Sequence, residues 1–193
     1  INQVRELREE NGRLREELGR SKVEIDTVKA RVTTLESEKQ ASHEQIQKQE
    51  RLNAIQANQD TLMQSLRRFG AVSKNERGII VTLPESIWSA PRAASLLAAA
   101  DAKLIGIAEI LAANPDYRVA IEAHTDGRGT ADELQSLTDQ RSTTLRQAFL
   151  NLGVQETRLE ARGLGSTLPI APNSTAANRA KNRRVTLVLV PAV

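Results

Sequence analysis

The sequence predicts a long polar helix that leads into a compact α+β domain, and three observations support this prediction. Charged side chains occupy 25 of the first 69 positions but only 26 of the remaining 124, and all six prolines lie at or beyond Pro84. Apolar residues repeat at heptad spacing before Phe69, whereas strand-like and helix-like runs alternate after it. We therefore expect a coiled-coil stalk over residues 1–69 and a folded domain over residues 70–193.

The composition excludes several classes of protein. The 193 residues include 27 Lys+Arg, 24 Asp+Glu and no Cys, with a formal charge of +3. This balance gives no support for a nucleic-acid partner. The lack of Cys excludes disulfides, thiol nucleophiles and cysteine-ligated metals. No apolar run reaches the ~20 residues of a membrane-spanning helix, and no signal peptide is visible. We expect the chain to be a fragment or a processed product, whose missing N-terminal part anchors the protein to a membrane.

Residues 4–46 follow one heptad frame, in which the a and d positions are largely apolar. The frame slips by one residue near Gln49 and continues more weakly to Phe69. An a/d seam this narrow cannot be buried by a single helix, so it predicts a partner helix. The apolar members of the seam are Val4, Leu7, Leu14, Leu18, Ile25, Val28, Val32, Leu35 and Ile46.

The flanking charges favour a parallel homodimer through residues 1–49. In a parallel pair each g residue faces the e residue five positions later on the partner, and four such pairs are opposite in sign. An antiparallel pair would be largely repulsive. Asn11 at an a position also favours a parallel two-stranded register. The alternative is a single solvated helix, or a helix folded back within the chain. The four pairs are Glu10–Arg15, Glu17–Lys22, Glu24–Lys29 and Arg31–Glu36.

The second half alternates strand and helix signals. Thr130 and Glu133 have the spacing of a capping box that opens a helix, and Gly153 ends this helix. An apolar repeat from Leu96 to Leu111 predicts an earlier helix. The predicted strands are Gly78–Leu83, Tyr117–Ala123, Arg158–Gly163 and Val185–Val190.

Few residues of the domain could support catalysis or bind a metal. His124 is its only histidine, so a metal site is disfavoured and a packed or capping role is favoured. No nucleophile elbow of the type G-x-S-x-G is present. A basic cluster remains, for which a solvated helix end with one buried ion pair and an anion site are both open. Its members are Arg179, Lys181, Arg183 and Arg184.

Asp126 and Arg141 are the strongest candidates for either an internal salt bridge or a ligand-binding site. Asp126 follows a strand, and Arg141 lies in the next helix between Leu137 and Leu145, which places its stem on the apolar face. A guanidinium so placed needs a carboxylate, either internal or from a ligand. Periodicity alone favours an internal salt bridge, and a ligand site stays open.

The stretch from about Gly78 to Val190 resembles the OmpA-like C-terminal domain, a peptidoglycan-binding family. The order and spacing of several motifs match across roughly 110 residues. The coiled coil lies outside the resemblance. The motifs are His124-Thr125-Asp126, Gly129, Leu137–Arg141, Gly153-Val154, Arg162–Gly165, Pro169, Asn173–Thr175 and Arg179–Val185.

The resemblance implies a βαβαβ-type α+β domain that has no enzymatic activity and no cofactor. It implies a ligand, the diaminopimelate of the peptidoglycan stem peptide, in the periplasm at the outer membrane or cell envelope. Asp126, beside Thr125, would bind the ligand's ammonium group, and Arg141 would bind its carboxylate. Asn182 and Arg183 or Arg184 would line or brace the pocket.

One departure from the family pattern bears on function. The family usually has Asn eight residues after the binding Asp, where this chain has Leu134. Two functions therefore remain: a wall-binding anchor on a dimeric spacer, and a structural or assembly module of the envelope that has lost wall binding and contacts other proteins.

Overall fold

The computed structural model describes residues 2–192, which divide between Arg51 and Leu52 into two compact units. The first unit is helical, and its side chains are exposed, including every apolar member of the a/d seam. The helices and strands in chain order are α1 Asn2–Leu66, β1 Ala71–Asn75, β2 Gly78–Pro84, α2 Asp101–Ala113, β3 Tyr117–His124, α3 Ala131–Asn151, β4 Leu159–Gly163, α4 Ala176–Asn182 and β5 Arg184–Pro191.

The second unit contains a five-stranded mixed sheet in the order β1-β2-β5-β3-β4. β3 and β4 are parallel, and the other neighbours are antiparallel. Alternate strand residues such as Val81, Ile121 and Leu187 share a buried core with Ile107 of α2 and Phe149 of α3. The predicted α+β class is therefore confirmed.

The last turns of α1 belong to this second unit. Ile55, Leu62 and Leu66 are buried in the same core as the sheet, because they recur at helical spacing on one face. The weak continuation of the heptad pattern thus packs inside the α+β unit. Whether residues 70–193 form a separate domain, as the composition shift predicts, stays a prediction.

Two elements differ from the sequence interpretation. β1 was not predicted, because four of its five residues are exposed and it carries no apolar alternation. The helix predicted from Leu96 begins only at Asp101. Leu96 instead forms an isolated β-bridge with Trp88, which closes the loop of residues 88–97.

Local signals position the candidate site. Thr130 Oγ1 accepts from the Glu133 amide and Glu133 Oε2 accepts from the Thr130 amide, so the predicted capping box is present. It starts α3 directly after the turn that contains Asp126. Gly163 lies where an added Cβ would meet the Asp139 amide, which allows β4 to approach α3 closely.

Candidate functional site

Asp126 is held by an arginine from the far end of the chain. Arg183 Nη1 donates to Asp126 Oδ2 at 2.7 Å, and the Arg128 amide donates to Oδ1 at 3.0 Å. Burial acts to raise the pKa of Asp126, but the bonds from Arg183 and Arg128 outweigh it and hold the pKa below its ordinary value. Asp126 is therefore ionised at neutral pH.

Arg141 heads the large, fully buried side chains of the described residues, with 1% of its surface exposed. Its Nε donates to the Ala93 carbonyl at 2.8 Å, and its guanidinium carbon lies 4.8 Å from the centre of the Trp88 ring. Nη2 is buried and has no hydrogen-bond partner among the residues that the structure describes. Burial lowers the pKa of Arg141, although Glu85 acts in the opposite direction. The site therefore holds a guanidinium that lacks a carboxylate.

The internal salt bridge favoured by periodicity does not form. Within residues 2–192, Asp126 pairs with Arg183, and no carboxylate pairs with Arg141. Sequence spacing placed Arg141 on a buried face correctly but could not identify its partners, because Ala93 lies 48 positions away.

Glu85 completes the charge pattern and was not singled out from the sequence. Arg183 Nε donates to Glu85 Oε2, so Arg183 bridges Glu85 and Asp126. The site then contains two carboxylates and two guanidiniums. Glu85 lies 98 positions from Arg183, and no local pattern marks such a pair.

The loop of residues 88–97 contacts Arg141 through Trp88 and Ala93. Its two ends are joined by a Ser89–Ser95 hydroxyl contact of 2.6 Å and by the Ser89 amide, which donates to the Ser95 carbonyl. Arg92, in the left-handed region at φ 62°, donates to the carbonyl of Arg128. The loop is thus tied to the turn after Asp126.

The other predicted site residues brace this region. Asn182 is fully buried; its amide group bonds the backbones of Ile170 and Ala171, and the side chain of Asn173. Arg184 donates to the carbonyls of Asn182 and Leu168. Both therefore fix the loop before α4.

Thr125 and His124 also have structural contacts. The Thr125 amide donates to the Gly165 carbonyl at 3.0 Å. His124 is packed, with Nε2 at 3.3 Å from Thr186 Oγ1, and burial lowers its pKa to about 4. Residues 2–192 contain no group of three or more potential His or carboxylate ligands for a metal ion.

Leu134 is buried, with 3% of its surface exposed, but it lies outside the main apolar core. It sits on α3 seven residues before Arg141, which places it on the same helix face. A buried apolar side chain therefore occupies the position where the resemblance implies a polar contact.

This fold and these motifs define a protein of the OmpA family, and residues 90–183 match that family. The peptidoglycan-associated lipoprotein of Burkholderia pseudomallei is 31% identical, with a TM-score of 0.50 over 53% of this chain and 87% of that one. A MotB-like protein from Desulfovibrio vulgaris is 25% identical, with a TM-score of 0.65 over 74% of this chain and 98% of that one. The chain belongs to the OmpA family, as the motifs indicated.

A curated relative adds a further comparison. The probable lipoprotein YiaD of Escherichia coli (strain K12) is 34% identical over 121 residues, which are 63% of this chain and 55% of that protein. The chain spans about half the length of the curated relatives that it matches first. Across residues 2–192, no helix combines the length and apolar character needed to traverse a bilayer.

Proposed function

We propose that the α+β unit binds peptidoglycan non-covalently, without catalysis, through the diaminopimelate of the stem peptide. The observation that supports this most is the buried Arg141 guanidinium, whose Nη2 has no hydrogen-bond partner within residues 2–192. An unpaired buried charge is costly for a folded domain, and a ligand carboxylate would relieve that cost.

The charge pattern suits a zwitterionic group. A carboxylate would receive a charge-assisted bond from Arg141, and an ammonium group would bind the ionised Asp126. The ammonium group would bind Asp126 beside Arg183. Arg183 would keep a carboxylate partner there, because it also donates to Glu85. A zwitterion has no net charge, so its binding would keep the net charge of the site, with its two carboxylates and two guanidiniums, unchanged.

We further propose that residues 1–49 form a parallel homodimeric spacer, and that a preceding segment anchors it to a membrane. The support is the exposed seam, with Leu18 70% and Ile25 53% exposed, beside complementary g–e charges. Two linked sites on a polymeric wall gain effective concentration, which would compensate for weak single sites. A periplasmic location at the cell envelope agrees with relatives that are lipoproteins and MotB-like proteins.

A pull-down with purified sacculi tests the proposal. Arg141→Ala and Asp126→Ala should each abolish retention, whereas Arg146→Ala should not, because Arg146 lies on the same helix but pairs with Glu156. Diaminopimelate sacculi should retain the chain better than lysine-type sacculi, since lysine lacks the second carboxylate. Equal retention of both sacculi, or normal retention of a folded Arg141 variant, would reject the proposed site.

The second candidate is an assembly module that contacts other proteins and has lost wall binding. The buried Leu134 favours it, because an apolar side chain offers the ligand no hydrogen bond. Leu134→Asn separates the two candidates. If sacculi retain the unmodified chain and retain Leu134→Asn more strongly, the result supports the wall anchor. If sacculi retain neither chain, the result supports the assembly module.

A further inference from the structure

A basic groove of about 530 Å³ lies in the α+β unit, lined by five Lys or Arg residues. Among the residues that the structure describes, no acidic side chain lines it. Two of the five cations are already bonded: Arg183 to carboxylates, and Arg184 to backbone carbonyls. The other three are Arg68, Lys103 and Lys181.

These three cations have no partner among residues 2–192. In the part of the chain that the structure describes, none of them forms an ion pair or a side-chain hydrogen bond. They come from separate places: the turn after α1, the first turns of α2, and α4. The fold therefore gathers unneutralised positive charge around one concave surface.

The groove also has an apolar component. Phe69 and Pro84 line it, together with Ile170, which is 62% exposed. Phe69 is held in place by α2, because its ring occupies the space that a side chain at Gly106 would fill. A large exposed aliphatic side chain beside a fixed aromatic ring is a contact surface for an apolar group.

We propose that this basic groove binds an acidic peptide segment of a partner protein, with an apolar side chain between Phe69 and Ile170. Carboxylates on either side would pair with Arg68, Lys103 and Lys181. Charge complementarity supports an anionic partner. The concave shape favours a chain segment over a flat bilayer surface, which would contact protruding cations instead. This proposal does not depend on wall binding.

The test uses the full chain and a fluorescently labelled acetyl-Glu-Leu-Glu-Glu-amide peptide, measured by anisotropy. Binding should weaken as salt is raised, because Arg68 and Lys181 are exposed and salt screens their charges. Lys103→Glu combined with Lys181→Glu should reduce affinity by at least about tenfold, since like charges then face the peptide. A Gln-Leu-Gln-Gln peptide should not bind measurably.

Arg118→Glu is the matched control, because it changes the net charge in the same direction at an exposed arginine that does not line this groove. It should change affinity by less than about twofold. The proposal is wrong if Arg118→Glu weakens binding as much as the Lys103→Glu/Lys181→Glu double variant, or if the Gln peptide binds as tightly as the Glu peptide. Binding to phosphatidylglycerol vesicles without binding to the peptide would assign the groove to an anionic lipid and overturn the proposal.

Discussion

Arg183, and not Arg141, is the arginine that pairs with Asp126, at 2.7 Å between Nη1 and Oδ2. Asp126 and Arg141 are therefore not each other's partners, although both are conspicuous in the sequence. Asp126 has a charge partner within the protein, whereas the contacts of the Arg141 guanidinium within residues 2–192 are a backbone carbonyl and an aromatic ring. The two residues should consequently respond differently to mutation.

Replacing Arg141 by Met should leave the free energy of unfolding unchanged or raise it by about 1 kcal/mol, because it removes an unpaired buried charge while keeping volume. Wall retention should be lost. The control is Arg158→Met, since Arg158 donates to the carbonyls of Tyr117 and Asn114. That control should destabilise the domain, because two acceptors lose their donor. Denaturant unfolding of both variants checks the prediction, and a large loss of stability in Arg141→Met would contradict it.

His124 should make the domain sensitive to mild acid. Burial lowers its pKa to about 4, and the nearby Arg184 adds to this effect. The unfolded chain, with a pKa of about 6.5, then binds the proton more readily, so stability falls as pH drops from about 6.5 to 4. The loss should reach about 3 kcal/mol.

The His124→Gln variant checks this assignment. It should flatten the dependence of unfolding free energy on pH in that interval, whereas His43→Gln, at an exposed histidine of α1, should not. An unchanged pH profile in His124→Gln would mean that another group carries the acid sensitivity.

Charges placed in the seam should dissociate the proposed dimer. Leu18→Asp with Ile25→Asp puts carboxylates at two a positions, where they would be buried against the partner helix. Val23→Asp is the control, because Val23 is 66% exposed but lies at an f position outside the seam. Sedimentation should show a monomer only for the double variant, and its wall retention should weaken. A monomeric unmodified chain at micromolar concentrations would contradict the dimer.

Removing the end of α1 should destabilise the α+β unit. Leu66 is fully buried in the core, so Leu66→Ala should lower the free energy of unfolding by about 2–5 kcal/mol. Thr61→Ala, exposed on the same helix, should change it little. Residues 70–193 alone should melt well below residues 52–193. Equal melting temperatures would show that the predicted boundary at residue 70 is a true domain boundary.

Local patterns explain which parts of the fold could be predicted. The capping box of Thr130 and Glu133 spans four residues, and both bonds form as the spacing indicates. β1 is an exposed edge strand, so its sequence lacks the alternation of apolar and polar residues that a half-buried strand shows. The start of α2 was placed too early, because Leu96 is apolar for a different reason: it pairs with Trp88 in the loop.

The candidate site depends more on distant contacts. Local patterns single out Asp126 after a strand and Arg141 on an apolar helix face, and the buried position predicted for Arg141 is correct. The ligand-binding roles of both residues rest on the family resemblance. Glu85 and Ala93 could not be found in this way, because their bonds join residues 98 and 48 positions apart. Which arginine pairs with Asp126 is decided by how β5 and β3 lie together in the sheet.

A ligand bound at Arg141 Nη2, which has no hydrogen-bond partner within residues 2–192, would lengthen the lifetime of the protein in the cell. Under the proposed function, a ligand that binds only the folded state would lower the population of unfolded chains. Proteases that cleave transiently unfolded chains would then degrade detached copies faster than attached ones. The rate at which the protein is degraded would then depend on whether it is bound to the wall. The molecules that persist in the envelope would be mainly those that had bound the wall.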